Sequence, residues 1–417
     1  MKKKILFVIN TMGRAGAEKC LLSMLRYMDK QAYEISLFSV INRGELFWEV
    51  PEGVRLLNEH PCAESVMDRK AKRYLMKEIL KGGLQNGYFI RNVRYLWKTI
   101  AYQRSHCGLD FKKLFFKLLA DHAPRQEETY DLAVGYIQGA ATYYVMEHVN
   151  AAKKVLFLHN EFLDSGYCPE LEKRYYQRAD AIFCVSQSIR NHFAEVYPQL
   201  ADKMDVFYNL VNQEEIREKA RQEIPGDPVL KEMKAQKQKG TLLLCTAARL
   251  EKVKAFDIAI PALAMVRNRG ISVNWYVLGE GSEREELERL TLEQHVSDCF
   301  FLLGAKENPY PYMSACDVYV QATRYEGFCT SISEAVILGK PVIASKCGGN
   351  IEQLLYYDTG MLVELTPEDL ANAIIRIATD GEFQMQLIAK SCVQNQRVEE
   401  SLQRLYAFTD TNKNGEL

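Results

Sequence analysis

What this chain lacks narrows its reading before any motif is considered. Its eleven cysteines, an odd number, are scattered from Cys20 to Cys392 without a C-x-x-C pair or tight clustering. That excludes a disulfide-framework reading and fits a reduced, cytosolic compartment. No stretch approaches the roughly eighteen apolar residues that a membrane-spanning helix needs. The run Ile5–Ile9, behind Lys2, Lys3 and Lys4, is too short for a signal-peptide core. The protein is therefore expected to be cytoplasmic, with any membrane contact peripheral on the inner face of the plasma membrane. An excess of one charge is also missing, since 53 Lys and Arg stand against 54 Asp and Glu in 417 residues. Whole-protein affinity for nucleic acid is not suggested. With 47% hydrophobic residues, the composition is that of a folded chain long enough for two or three domains at roughly 150 residues each.

What is present is alternation. Short β-branched runs alternate with amphipathic segments of helical length, the pattern of parallel sheets covered by helices on both faces. The strand candidates are Ile5–Ile9, Glu34–Val40, Leu132–Tyr136, Val155–Leu158, Ala181–Val185 and Asp205–Tyr208. They are followed by Thr241–Ala247, Ser272–Leu278, Phe300–Leu303, Asp317–Gln321 and Pro341–Ala344. The fold class expected is α/β, two Rossmann-like doubly wound domains. Between them, Ala220 to Gly240 is charged, contains Pro225-Gly226 and Pro228, and reads as a helix end followed by a linker. The expected division is 1–210 with a basic helical insertion at 66–122, a linker region at 211–240, and 241–395. Residues 396–417 are then a terminal helix returning to the N-terminal domain and a tail.

The insertion departs from the even charge. From Arg69 to Lys117 there are thirteen Lys or Arg and only two acids, Glu78 and Asp110. On a helical wheel Arg91, Arg94 and Lys98 share one face, and Phe89, Val93, Leu96, Trp97 and Ile100 fall on the other. This is the pattern of an interfacial helix for an anionic membrane surface. A helix packed on its own domain with a solvated basic face has the same polarity.

Three segments carry candidate chemistry. The first βα turn, Asn10 to Glu18, holds Gly13 and Gly16 just ahead of a helix, where backbone amides can approach an anion or hydroxyls. It is not G-x-G-x-x-G, so no nicotinamide-cofactor fingerprint is present there. Arg249 and Lys254 leave the strand ending near Thr246, just before an apolar-periodic helix. A fork and a point charge so placed suit a diphosphate. Finally, Glu326-Gly327-Phe328-Cys329-Thr330 precedes a helix containing Glu334. Two separated carboxylates there can hold hydroxyl groups of one ligand while the helix N-terminus receives its phosphates. A paired-acid hydrolase is the competing chemistry.

In order and spacing, these segments resemble the retaining GT-B glycosyltransferases of family 4, two Rossmann-like domains facing a central cleft. The resemblance rests on Gly16–Glu18, His159 at a strand end, Val185-Ser186-Gln187-Ser188, and Tyr208-Asn209-Leu210-Val211-Asn212. It continues through Arg249 with Lys254, Gly279-Glu280-Gly281, Leu303-Gly304, Glu326-Gly327-Phe328 with Glu334-Ala335, Gly339-Lys340-Pro341-Val342, Gly348-Gly349 and Thr359-Gly360. It implies a hexosyltransferase moving a sugar from a nucleotide sugar, a UDP-sugar above others, to a lipid-linked glycan or other cell-surface polymer precursor. It implies no cofactor, no metal and no nucleic-acid partner, and the sequence has no Asp-x-Asp.

Carried over by position, Arg249 and Lys254 would hold the donor diphosphate, Glu326 the transferred sugar and Glu334 the ribose. Amides of Gly327, Phe328, Cys329 and Thr330 would face phosphate or sugar. His159 would lie near the sugar, Gly16 near donor phosphate and acceptor, and Lys306 beside the nucleobase through its backbone. Ala255 stands where the family usually has glycine, Ala322-Thr323 replaces a common Pro-Ser, and Asn212 replaces a frequent aspartate. A non-catalytic sugar-nucleotide-binding partner subunit and a GT-B sugar-nucleotide epimerase are the alternatives.

Overall fold

The computed structural model describes residues 2–65, 69–85, 87–106, 109–163, 165–357, 359–390 and 398–410. The chain divides into two units, Met1–Leu210 with Gln396–Leu417, and Val211–Asn395. Among the described residues the first holds seven strands, β1 (Lys3–Ile9), β2 (Tyr33–Ser39), β3 (Val54–Leu56), β4 (Thr129–Gly135), β5 (Asn150–Leu158), β6 (Ala181–Cys184) and β7 (Met204–Val206). All pair in parallel in the order β3-β2-β1-β4-β5-β6-β7. The second holds β8 (Leu242–Ala247), β9 (Val273–Leu278), β10 (Phe300–Leu302), β11 (Val318–Gln321), β12 (Val342–Ser345) and β13 (Met361–Val363). These are also parallel, in the order β10-β9-β8-β11-β12-β13.

Burial on both faces explains the strand sequences. Ile5 to Ile9 are each 0% exposed, so an unbroken apolar run is required where a half-exposed strand would alternate. The order of each sheet reverses at a central pair, β1 beside β4 and β8 beside β11. Chain connections leave such a pair in opposite directions and open a crevice at its carboxyl ends. Each run read as a strand from the sequence overlaps an observed one. Strands β3 and β13 were not anticipated: each has three residues and lies at a sheet edge, too short for a periodic signal.

Two expectations need correction. Residues 211–240 are not a linker but two helices of the second unit, Gln213–Arg221 and Pro228–Gln238. Asn212 and Asp227 cap them, accepting from the amides of Glu215 (3.2 Å) and Leu230 (2.9 Å). Asp227-Pro228 is thus a cap followed by proline at the first helical position, and Pro225-Gly226 is the turn between the helices. The second correction concerns the insertion, which forms helices Arg69–Gln85, Tyr88–His106, Phe111–Leu114 and Phe116–His122 between β3 and β4; residues 66–68, 86, 107 and 108 lie outside the described residues. The buried stripe of Tyr88–His106 is Asn92, Tyr95, Thr99 and Gln103, while Ile90, Val93 and Trp97 are 81%, 61% and 69% exposed. The helix packs on its own unit through polar residues and leaves apolar ones outside.

Three members of the stripe, Asn92, Tyr95 and Gln103, have hydrogen-bond partners. Asn92 donates to Asp121 (2.8 Å), Gln103 to the carbonyl of Gly166 (3.3 Å), and the hydroxyls of Tyr95 and Tyr143 lie 2.9 Å apart. Tyr143 in turn donates to Glu172 at 2.7 Å. Burial pushes the Glu172 carboxyl up to about 8, against a weaker downward pull from the Tyr143 hydrogen bond. Helix Val398–Tyr406 completes this unit, with Leu402 and Leu405 in its core and Tyr406 stacked on Tyr33 at 4.2 Å. The segment 411–417 lies outside the described residues.

Glu172 sets a pH dependence. Its folded value lies above the unfolded one, so its contribution to stability is complete below about pH 4.5 and is lost as pH rises through about 8. Thermal unfolding across pH 6 to 9 should show wild type losing stability toward the alkaline end, and Glu172→Gln should flatten that slope. An unchanged slope in the variant would remove Glu172 as its source.

Candidate functional site

At the carboxyl end of the first sheet, polar side chains lace the strand ends together. Asn10, just past β1, donates to the carbonyl of Gln138 (2.8 Å) and accepts from the amide of Ala141 (2.7 Å). Gln138 donates to the carbonyl of Asn160 (2.7 Å) and accepts from the amide of His159 (2.9 Å). The switch point between β1 and β4 is thereby tied to the end of β5. His159 is packed against Tyr136 and Phe157, and burial presses its imidazole down to about 3, against a weaker upward effect of the Tyr136 backbone. It is neutral at pH 7, and among the described residues its buried Nε2 has no hydrogen-bond partner. Such a nitrogen can serve a hydroxyl but not act as an acid near neutrality. Gln138 went unrecognised in the sequence; its position two residues after Tyr136, at a strand end, was the available signal.

Gly16 opens helix Gly16–Tyr27, and the preceding Ala15 supplies no side-chain cap. Within that first turn Glu18 is buried and accepts from the Thr11 hydroxyl at 2.9 Å.

In the second unit the loop after β8 and the loop after β11 are bound to one another. The amide of Arg324 and the hydroxyl of Thr323 both donate to the carbonyl of Val253, at 2.8 and 2.9 Å. The Arg324 guanidinium donates to the carbonyl of Lys252 and forks onto Asp257 at 2.9 and 2.6 Å. These bonds set Lys254 beside Glu326, and the two form an ion pair with only 14% and 18% of their side chains exposed. Burial acts to lower the Lys254 pKa, but the Glu326 carboxylate outweighs it and holds the ammonium above its ordinary value. Arg249, five residues earlier, is 61% exposed and reaches Glu251 at 2.8 Å. The expected donor cations therefore differ in setting, one enclosed and one solvated.

The next helix, Thr330–Ile337, starts from this loop. Ser331 fastens it to the end of β8 through the carbonyl of Ala247 at 2.8 Å. Phe328 is buried edge-on to Tyr356. Cys329 requires a correction: its amide donates to Gln353 Oε1 (2.9 Å) and its carbonyl accepts from Gln353 Nε2 (2.7 Å). That amide is used within the protein and does not face a phosphate or sugar. The thiol, buried and near Glu326, is pushed up to about 12, which makes it inert.

Glu334 is 5% exposed and accepts from the Tyr310 hydroxyl at 3.0 Å. Tyr310 is a functional candidate that sequence reasoning missed, since it opens the short helix Tyr310–Ala315, 24 residues earlier. The start of that helix is itself anchored: Asn308 donates to the carbonyl of Lys219 (2.8 Å) and Tyr312 to Asp227 (2.5 Å). The Lys306 ammonium sits 5.3 Å from the Tyr312 ring centroid. Glu326 and Glu334 each have a different partner, which does not suit a proton-sharing acid pair.

Close backbone packing accounts for the glycine pairs around these loops. A Cβ on Gly279 would come within 1.9 Å of the Ala248 carbonyl oxygen, and one on Gly349 within 2.3 Å of the Glu326 carbonyl oxygen. They let neighbouring turns support the chains carrying Arg249 and Glu326. Ala255 has the left-handed backbone, φ 49°, at the start of helix Phe256–Asn268, a geometry that favours glycine.

Residues 230–392 match the profile of the family described as glycosyl transferases group 1. Among curated relatives, the chain is 27% identical over 216 residues to the N-acetylgalactosamine-N,N'-diacetylbacillosaminyl-diphospho-undecaprenol 4-alpha-N-acetylgalactosaminyltransferase of Campylobacter jejuni, covering 52% of this chain and 54% of that one. The chain spans about half the length of that relative. Among solved structures, Anabaena HepE in complex with UDP and glucose aligns with TM-score 0.65 at 18% identity, over 97% of this chain and 98% of that one. WaaG, a glycosyltransferase involved in lipopolysaccharide biosynthesis, aligns with TM-score 0.60 at 13% identity, over 98% of this chain and 100% of that one. The two parallel-sheet α/β units thus share the fold of GT-B glycosyltransferases, and the second carries a glycosyl transferases group 1 domain.

Proposed function

We propose that this protein is a retaining glycosyltransferase that moves a hexosyl group from a UDP-sugar to a lipid-linked glycan or related surface-polymer precursor. The observation that carries the reading is the meeting of Lys254 and Glu326 at the switch point of the second sheet, with Glu334 one helix turn further on. The UDP bound to HepE and the diphospho-undecaprenol named in the Campylobacter relative support the donor and acceptor classes.

The chemistry follows from charge development. As the bond to the nucleotide loosens, negative charge grows on the departing diphosphate and positive charge on the anomeric carbon. Lys254 and Arg249 then bind the transition state more strongly than the ground state. Glu326 accepts hydrogen bonds from hydroxyls of the transferred sugar, and Glu334 from those of the ribose. The acceptor attacks from the face that the diphosphate leaves, and a phosphate oxygen takes its proton.

A thermal-shift series with UDP, GDP, ADP and CMP tests the donor class, because a ligand that binds the native state raises apparent stability. UDP should give the largest rise, and a flat response to all four would remove the nucleotide-sugar reading. Glu326→Gln is expected to lower turnover at least about 100-fold with the fold intact. Lys254→Ala leaves Glu326 enclosed without its cation, which costs about 3–5 kcal/mol. Adding Glu326→Gln to it should restore stability without restoring turnover. Wild-type-like turnover in either folded variant would remove these residues from the site.

Tyr310→Phe should raise the donor KM about tenfold with kcat little changed, since a hydrogen bond to a charged group contributes about 1.5 kcal/mol. An equal fall in kcat would place the residue in the chemical step instead. Transfer should also continue in EDTA, since Arg249 and Lys254 supply the positive charge at the diphosphate; complete loss restored by magnesium or manganese would contradict this.

A further inference from the structure

A pocket lined mainly by charged side chains lies in the first unit. Helices Tyr88–His106, Phe116–His122, Ala140–His148 and Pro169–Arg178 line an open pocket of about 600 Å³. Six cations line it, Arg91, Arg94, Lys98, Lys117, Arg125 and Arg174, against three carboxylates, Asp121, Glu147 and Glu170.

The carboxylates are already engaged. Lys117, 4% exposed, bonds Asp121 and reaches Glu147 at 2.7 Å. Asn92 and His148 complete the Asp121 shell at 2.8 and 2.9 Å. Burial alone would raise the Asp121 pKa, but His148 and Lys117 hold it down at about 2. The trio Asp121, Glu147 and His148 has metal-ligand spacing, and the Lys117 ammonium already bridges its two carboxylates. At the rim Glu170 pairs with Lys98, and Arg174 lies 3.5 Å from Glu147.

Arg91, Arg94 and Arg125 remain. Among the described residues no carboxylate lies within ion-pairing distance of any of the three. Three guanidinium forks with no carboxylate at ion-pairing distance, over a neutralised floor and in a pocket of ligand size, match phosphate oxygens in charge and geometry.

The topology separates this cavity from the candidate active site. Helix Ala140–His148 runs back from the carboxyl end of β4 to the start of β5 at Asn150, so Glu147 and His148 mark the amino end of the sheet. Asn10, Gln138 and His159 mark its carboxyl end. Beside the arginines, Ile90, Val93 and Trp97 form an exposed apolar ridge on the same helix.

We propose that this cavity is a binding site for a phosphate or diphosphate group, distinct from the nucleotide-sugar site. It narrows the anionic-surface reading of residues 69–117 to Arg91 and Arg94, joined by Arg125 from beyond that span, and does not depend on the sugar-transfer reading. The apolar ridge suits a phosphate carried on a lipid, and a soluble phosphate compound presents the same group.

The test compares wild type with Arg91→Gln/Arg94→Gln/Arg125→Gln, three exposed positions, and with a charge-matched control, Lys231→Gln/Lys234→Gln/Lys239→Gln, in the second unit. Calorimetric titration with inorganic pyrophosphate should show the arginine triple losing one bound pyrophosphate per chain, or binding it at least tenfold more weakly. The control should stay within twofold of wild type. Sedimentation with phosphatidylcholine vesicles, with and without one-third phosphatidic acid, distinguishes the source. A fall of fivefold or more in binding to acidic vesicles, confined to the arginine triple, assigns a lipid headgroup. Loss of pyrophosphate binding with no vesicle binding in wild type assigns a soluble phosphate. Pyrophosphate binding by the arginine triple equal to wild type, or an equal loss in the control, overturns the site. A UDP response that disappears while these results hold counts against the donor reading alone.

Discussion

A lysine ammonium as enclosed as that of Lys254 stays charged only beside an anion, and Glu326 is that anion. The pair is a constraint as much as an attraction, because the separate loops that carry the two residues must meet for either to be tolerated. Thr323 and Arg324, both bonded to Val253, hold the loops together before the charges are counted. Gly349 fits beneath because no Cβ intrudes, Ser331 secures the following helix, and Tyr310 orients Glu334 from the start of helix Tyr310–Ala315. The geometry around Lys254, Glu326 and Glu334 is thus the outcome of one closed set of contacts around the switch point.

The first unit obtains comparable order by other means. There the strand ends are tied by neutral amides, Asn10 and Gln138. A neutral lattice suits a histidine that is itself uncharged, since an ion beside His159 would shift its protonation. The two units repeat one strand order and differ in the electrostatics of their carboxyl edges.

Much of this was legible from residues alone. Fully buried parallel strands announce themselves as continuous apolar runs, so the interior strands could be read, whereas β3 and β13, at the edges, are too short to carry a pattern. Charged candidate residues near strand ends could be named, Lys254, Glu326 and Glu334 among them, and the fold brings Lys254 and Glu326 together. Sequence could not supply partners distant along the chain. Tyr310 and Gln353 act across 24 residues on Glu334 and Cys329. The charged, proline-containing segment at 211–240 looked like a connector because helical caps and linkers draw on the same residues. In the helix Tyr88–His106 the wheel gave the faces but not which one packs, since Asn92 and Gln103 are buried by hydrogen bonds rather than by apolarity.

The return of helix Val398–Tyr406 to the first unit has a consequence for biosynthesis. Leu402, Leu405 and Tyr406 belong to a core whose other members, from Ile5 to Leu210, are made far earlier. On the ribosome that core must wait, incomplete, while all of Val211–Asn395 is synthesised. The second unit, contiguous in the chain, can close as soon as it emerges. The order of folding during translation is thereby reversed relative to the order of synthesis, with the first unit's final packing the last event.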